Sequence, residues 1–187
     1  MKKQSDTYPY AYSPRALRRD APTDLLEGPV MERMIFPNLP VADLPAAENF
    51  YLGLGFTKNP QFSDDRTTAI VVSDSIVVML LQQDYYQEFL PKGDTPHLAS
   101  AGKEVLNGIS CDSREEVDRF LAACTSGGGA LYAPAEERMP GMYSGSATDP
   151  DGHVWEFMWM DPANVEPPER TFEVSSNATV QEQNSAL

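Results

Sequence analysis

The sequence predicts an α+β fold: two βαβββ modules forming a curved mixed sheet around a cleft. Three observations carry this. A strand, a helix and three further strands occur in that order twice. Each helix has a start signal of its own, Asp43 in the first copy and the S-x-x-E pattern of Ser113 and Glu116 in the second. Each helix also runs into glycines, Gly53 and Gly55 in one copy and Gly127 to Gly129 in the other. Such a duplication usually places two modules side by side with a cleft between them.

The first module is assigned to residues 34–83. A strand over 34–41 puts Ile35, Leu39 and Val41 on one face and Phe36, Asn38 and Pro40 on the other. Leu44, Ala47, Tyr51 and Leu54 recur at helical spacing after Asp43. Strands follow over 56–62, 67–72 and 76–81. The last is apolar on both faces, so both should be covered. Residues 84–104 form a linker with an aromatic, helical start at Tyr85, Tyr86, Phe89 and Leu90. It then becomes a loop broken by Gly93, Asp94 and Pro96, the natural hinge or lid.

The second module is assigned to 105–161. It comprises a strand over 105–111, a helix with Val117, Phe120, Leu121 and Cys124 on its buried face, and strands over 131–134, 143–148 and 154–159. Residues 1–33 are rich in Pro, Tyr, Ser and Arg and read as a flexible extension, the alternative being a segment laid over a partner or a cavity mouth. Within it, Ser13 and Pro14 can open a short helix through Arg19. Residues 162–187 read as a disordered tail.

The chain of 187 residues is 41% hydrophobic, enough to bury a core. Its net charge of −14 argues against sequence-independent nucleic-acid binding and against docking on anionic membranes. It has no apolar run long enough to span a bilayer and no apolar core of a secretory signal. Cys111 and Cys124 form no disulfide framework and read as reduced, buried thiols of a cytoplasmic protein.

The most informative stretch is DPDGHVWEFMWMD, from Asp149 to Asp161. Asp149, Pro150, Asp151 and Gly152 spell a tight turn. The strand after it alternates. Trp155, Phe157 and Trp159 share one face, and Val154, Glu156 and Met158 the other. A lone carboxylate opposite three aromatics marks a face that lines a cavity.

These residues resemble the vicinal oxygen chelate superfamily, which groups glyoxalases, bleomycin resistance proteins and extradiol dioxygenases. The resemblance rests on NLPVADLPAAENFYLGLGF (Asn38 to Phe56), its repeat from Asn107 to Phe120, and DPDGHVWEF (Asp149 to Phe157). It implies the duplicated βαβββ fold and a homodimer. It also implies a divalent metal held by the first and last strands of each module. Matched strand by strand, the ligand positions fall at or next to Phe36, near Met79, near Leu106 and at Glu156. Only Glu156 is a ligand for a hard or borderline ion. The chain has two histidines. His153 lies three residues from Glu156, on the opposite strand face, and His97 lies in the linker, so a facial triad does not form. The expected cofactor is therefore none, with a divalent metal at an atypical site as the alternative.

Without a metal, the cleft is expected to be lined by Phe36, Asn38, Met79, Leu81, Leu106, Gly108, Ser110, Glu156 and Met158. That is the make-up of a small-molecule site; the competing reading is a filled core. Glu156 is then the catalytic candidate, a base or an anchor for a ligand cation or hydroxyl. A structural salt bridge is its plainer role. Tyr85, Tyr86 and Phe89 can cap the pocket or simply pack. Two functions follow. One is a metal-free protein binding a small organic molecule, with no nucleic-acid or membrane partner. The other is an enzyme of the same fold: a lyase or isomerase using Glu156 as base, or a dioxygenase-like enzyme.

Overall fold

Asp43 stands just after the first strand and caps the first helix. In the computed structural model, which describes residues 33–96, 98, 102–103 and 105–164, β1 (Asn38–Val41) leads into this residue. Its carboxylate accepts the Ala46 amide at 2.9 Å and opens α1 (Leu44–Gly53). Leu44, Ala47, Phe50 and Tyr51 make the buried stripe of α1. The expectations for residues 1–32 and 165–187, and for His97, lie outside the described residues.

β2 (Thr57–Asn59) is shorter than the strand expected over 56–62. Pro60 has no N–H to give to a ladder, so the chain turns there into a short 3₁₀ segment, Pro60–Phe62. The Asn59 side chain accepts the Gln61 amide at 3.0 Å and caps it. β3 (Thr67–Ser73) and β4 (Ile76–Gln82) complete a four-stranded sheet of order β1-β4-β3-β2. β1 lies parallel to β4, and the other pairs are antiparallel. α2 (Gln83–Gln87) follows, a single helical turn at the start of the linker.

The second module repeats this order. β5 (Leu106–Ser110) leads to α3 (Arg114–Ser126). The Ser113 hydroxyl accepts the Glu116 amide at 3.1 Å. The Glu116 carboxylate accepts the Asp112 amide at 2.6 Å, one residue earlier than a strict capping box would use. β6 (Ala130–Met139), β7 (Met142–Thr148) and β8 (Val154–Met160) follow, in the sheet order β5-β8-β7-β6.

β6 is 10 residues long and far exceeds the expected 131–134. Pro134 reads as a stop in sequence. In the fold β6 is an edge strand, and its pairing with β7 shifts register between Leu131 and Ala133, Ala133 and Glu136, and Glu137 and Met139. An edge strand with bulges tolerates a proline and carries charges such as Glu136, Glu137 and Arg138.

One hydrophobic core joins the helix-bearing faces of both sheets. Val41, Phe50, Tyr51, Ile70 and Leu80 enter it from the first module, and Val117, Phe120, Cys124, Trp155 and Phe157 from the second. Phe120 stacks on Phe157 with ring centroids 4.8 Å apart, and Phe56 approaches Phe120 at 5.8 Å. β4 is covered on both faces: Val78 and Leu80 lie in this core, and Val77, Met79 and Leu81 in a second cluster. The face assignment on β1 holds for Leu39 and Val41, which enter the core, and for Phe36, which joins the second cluster. Ile35 departs from it and is 59% exposed. Pro37 separates it from β1, and it pairs through one isolated bridge to Ile76.

Candidate functional site

The DPDG turn forms as its residue types dictate. Asp149 accepts the Asp151 amide at 3.1 Å and the His153 amide at 2.8 Å through one carboxylate oxygen. Gly152 has φ +93°, a conformation that glycine adopts without strain. Beyond the turn, alternation sorts β8 as expected. Trp155 and Phe157 lie in the core and Trp159 packs against it, while Glu156 and Met158 are half-buried on the opposite face.

Glu156 sits between two small residues, opposite Gly108 on β5 and Ser146 on β7. The buried Ser144 hydroxyl donates to it at 3.3 Å, a long bond. No ion pair to Glu156 occurs among the described residues. This face is open toward β5. Leu106 is 58% exposed, and Gly108 and Ser110 are exposed as well.

In the first module, Met79 occupies the position that corresponds to Glu156, opposite Asn38 on β1 and Ala69 on β3. Phe36 and Met79 line a cavity of about 90 Å³. Its other apolar walls are Met34, Phe62, Ala69, Val71 and Val77, and its polar rim is Asn59, Ser73 and Asp74. Leu81 belongs to the same apolar cluster. Tyr85 and Tyr86 pack against that cluster, whereas Phe89 is 63% exposed. The Asn38 amide donates to the Phe36 carbonyl at 2.8 Å. Asn38 also faces a more polar groove of about 140 Å³, shared with Pro40, Tyr86, Asn107 and His153.

The nine candidate residues thus fall into three places. Phe36, Met79 and Leu81 belong to the apolar cavity and its cluster. Asn38 faces the groove between the modules. Leu106, Gly108, Ser110, Glu156 and Met158 spread across the open face of the second sheet, and neither cavity includes them.

The registers place Met79 and Glu156 at equivalent points, with Asn38 and Gly108 as their β1 and β5 partners. Phe36 and Leu106 each precede that partner by two residues. A divalent ion needs several N, O or S⁻ donors. Phe36, Met79 and Leu106 supply none of these, so the residues at the four positions do not fit the metal that the fold implies. Among the described residues, no group of three or more His, Cys, Asp or Glu is gathered to hold an ion.

Both cysteines are free and buried. Burial pushes the Cys111 thiol up to about 11 and the Cys124 thiol up to about 12, so neither is a nucleophile near neutral pH.

Sequence reasoning missed the polar contacts that join the modules. The Tyr51 hydroxyl on α1 donates to Asp149 at 2.8 Å and accepts from the Trp155 indole N–H at 3.0 Å. Asp151 accepts the Ala42 amide at 2.8 Å. His153 Nε2 lies 2.9 Å from the Pro40 carbonyl, which it meets as a donor. A signal existed for Tyr51, since a tyrosine on a buried helical stripe must find a partner for its hydroxyl. Burial pushes the Asp149 carboxyl up, against the pull of His153 and of the Tyr51 hydrogen bond.

The family model of the glyoxalase/bleomycin resistance protein/dioxygenase superfamily matches residues 33–157. The chain matches no curated protein. Among solved structures it resembles hypothetical protein SA1046 from S. aureus, at 25% identity and a TM-score of 0.57 over 71% of this chain and 95% of that one. A glyoxalase/bleomycin resistance protein/dioxygenase family enzyme from Burkholderia phytofirmans PsJN is 16% identical. It matches with a TM-score of 0.59 over 70% of this chain and all, 100%, of that one. Lactoylglutathione lyase from Agrobacterium tumefaciens is 19% identical, with a TM-score of 0.50 over 70% of this chain and 95% of that one. The duplicated βαβββ topology, the DPDG turn leading to Glu156 and the family match agree: the chain belongs to the glyoxalase/bleomycin resistance protein/dioxygenase superfamily.

Proposed function

We propose that this protein binds a small organic molecule in the cavity of its first module, without the metal that the superfamily usually holds. The cavity itself carries the reading: among the described residues, seven apolar side chains and three polar residues line a hollow of about 90 Å³ that opens to solvent. The donor set at the four metal positions supports the metal-free part. The working unit is a homodimer in the cytoplasm, as the resemblance and the two free buried thiols suggest.

The test is titration calorimetry of wild type and Ala69→Leu against short-chain organic compounds. Ala69 is fully buried in the cavity wall, and a larger side chain there fills the space. Saturable binding by wild type that Ala69→Leu abolishes is the expected result. Equal binding by both proteins removes the cavity from the reading. Metal analysis of the purified protein tests the metal-free part, which a stoichiometric divalent ion overturns.

A second reading rests on the hydroxyl of Ser144 pointing at Glu156. In it, Glu156 is the base of a lyase or isomerase acting on a substrate laid across the open face of the second sheet. Turnover lost in Glu156→Gln, with binding kept, supports it. Turnover that survives the substitution excludes Glu156 as the base.

A further inference from the structure

We infer that the ligand of this cavity is an organic cation: a short branched alkyl group that enters the hollow and an ammonium head that stays at the rim beside Asp74. The inference rests on the cavity-binding reading and adds the chemical class. Size sets the alkyl part. A cavity of about 150 Å³ lined by aliphatic side chains takes up benzene. At about 90 Å³, this one is smaller, which favours a short branched alkyl group over an aromatic ring.

The rim sets the head. Among the described residues its polar lining is Asn59, Ser73 and Asp74, which present oxygens, and no described Lys, Arg or His lines the cavity. The Asn59 side-chain oxygen already accepts the Gln61 amide. The Ser73 hydroxyl is tied to the Ser75 amide by a marginal 3.4 Å contact. Asp74 is exposed in the turn between β3 and β4 and carries the only formal charge among the described lining residues. The nearby cations are committed elsewhere or placed apart. Lys58, next to Asn59, pairs with Glu48 at 2.8 Å, and Arg66 pairs with Glu88 at the far end of β3. Arg33, next to Met34, is not a lining residue. The net charge of −14 draws cations toward the whole molecule and repels carboxylates.

The alternative is an alcohol or a carboxylate on the same alkyl group. An alcohol gains nothing from Asp74 beyond a hydrogen bond, and a carboxylate meets a like charge.

Calorimetric titration with isobutylamine, isobutanol and isobutyrate separates them, because the three share one branched alkyl end and differ in the head. Amine tighter than alcohol, and alcohol tighter than carboxylate, is the expected order. Asp74 is exposed, so its share is modest. Asp74→Asn should weaken the amine by about threefold, the worth of an exposed ion pair, and leave the alcohol unchanged. Added salt should narrow the gap between amine and alcohol in wild type. Ala69→Leu should remove binding of all three. Alcohol binding as tightly as amine, or an amine preference that survives Asp74→Asn, overturns the inference and leaves the cavity as a binding site. Failure of all three to bind overturns the inference and the cavity reading together.

Discussion

The Tyr51 hydroxyl donates to the Asp149 carboxylate at 2.8 Å across 98 residues of sequence, and so joins the helix of one module to the turn of the other. Tyr51 is fully buried and Asp149 nearly so. The same hydroxyl accepts the Trp155 indole N–H, which makes it the centre of a three-residue polar node inside an apolar core. Tyr51→Phe leaves a carboxylate oxygen and an indole N–H without partners. The expected cost is about 2 kcal/mol, a fall in Tm of roughly 4–8 °C in a chain of this size. Differential scanning calorimetry checks it. An unchanged Tm means that the node contributes nothing net to stability.

Alkaline pH should destabilise the fold. Burial raises the Cys111 thiol to about 11 and the Cys124 thiol to about 12, and burial followed by the Asp149 charge raises the Tyr51 phenol well above its ordinary value. The unfolded chain therefore loses protons near pH 9 to 10 that the folded chain keeps. Stability from these groups is complete below that range and falls as pH rises through it. Urea midpoints from pH 8 to 11 should decline. In Cys124→Ala the slope between pH 9.5 and 11 should be shallower, by up to about 1.4 kcal/mol per pH unit for the one proton removed. A slope identical to wild type would contradict the assignment to Cys124.

Two glycines in the second sheet should respond differently to alanine. A Cβ on Gly145 would lie 2.7 Å from the Leu121 side chain and 2.8 Å from Ala135 backbone atoms, so that β6 itself would have to shift. A Cβ on Gly108 would meet only the end of the Met158 side chain, at 3.0 Å. Gly145→Ala should cost about 1–3 kcal/mol through overpacking. Gly108→Ala should stay within about 0.5 kcal/mol, as Met158 swings aside. Equilibrium urea unfolding of both variants measures the contrast, and equal costs would refute it.

Glu156→Gln should leave stability nearly unchanged, within about 0.5 kcal/mol. The carboxylate is half-buried and makes one long contact, to Ser144, which an amide oxygen can also accept. Thermal unfolding checks this, and a Tm within about 2 °C of wild type is expected. Any activity lost in this variant then belongs to chemistry and not to unfolding. A large drop in Tm would instead make Glu156 a structural residue.

The element order, the helix starts at Asp43 and Ser113, the DPDG turn and the two faces of β8 follow from the sequence by itself. Each depends on neighbours a few residues apart: a side chain reaching an amide three positions on, a glycine taking positive φ, side chains alternating with period two. The surroundings of these residues came only with the tertiary structure. Pro134 reads as a stop in sequence and yet lies inside β6, because an edge strand absorbs a missing donor. Tyr51 read as plain core until Asp149 lay beside it. Phe36 and Met79 enclose a cavity, while Glu156 lies on another sheet beside Ser144 and Gly108. No local rule carries that division, because it depends on which strands pair and what packs on each sheet face, and those partners are far apart in sequence.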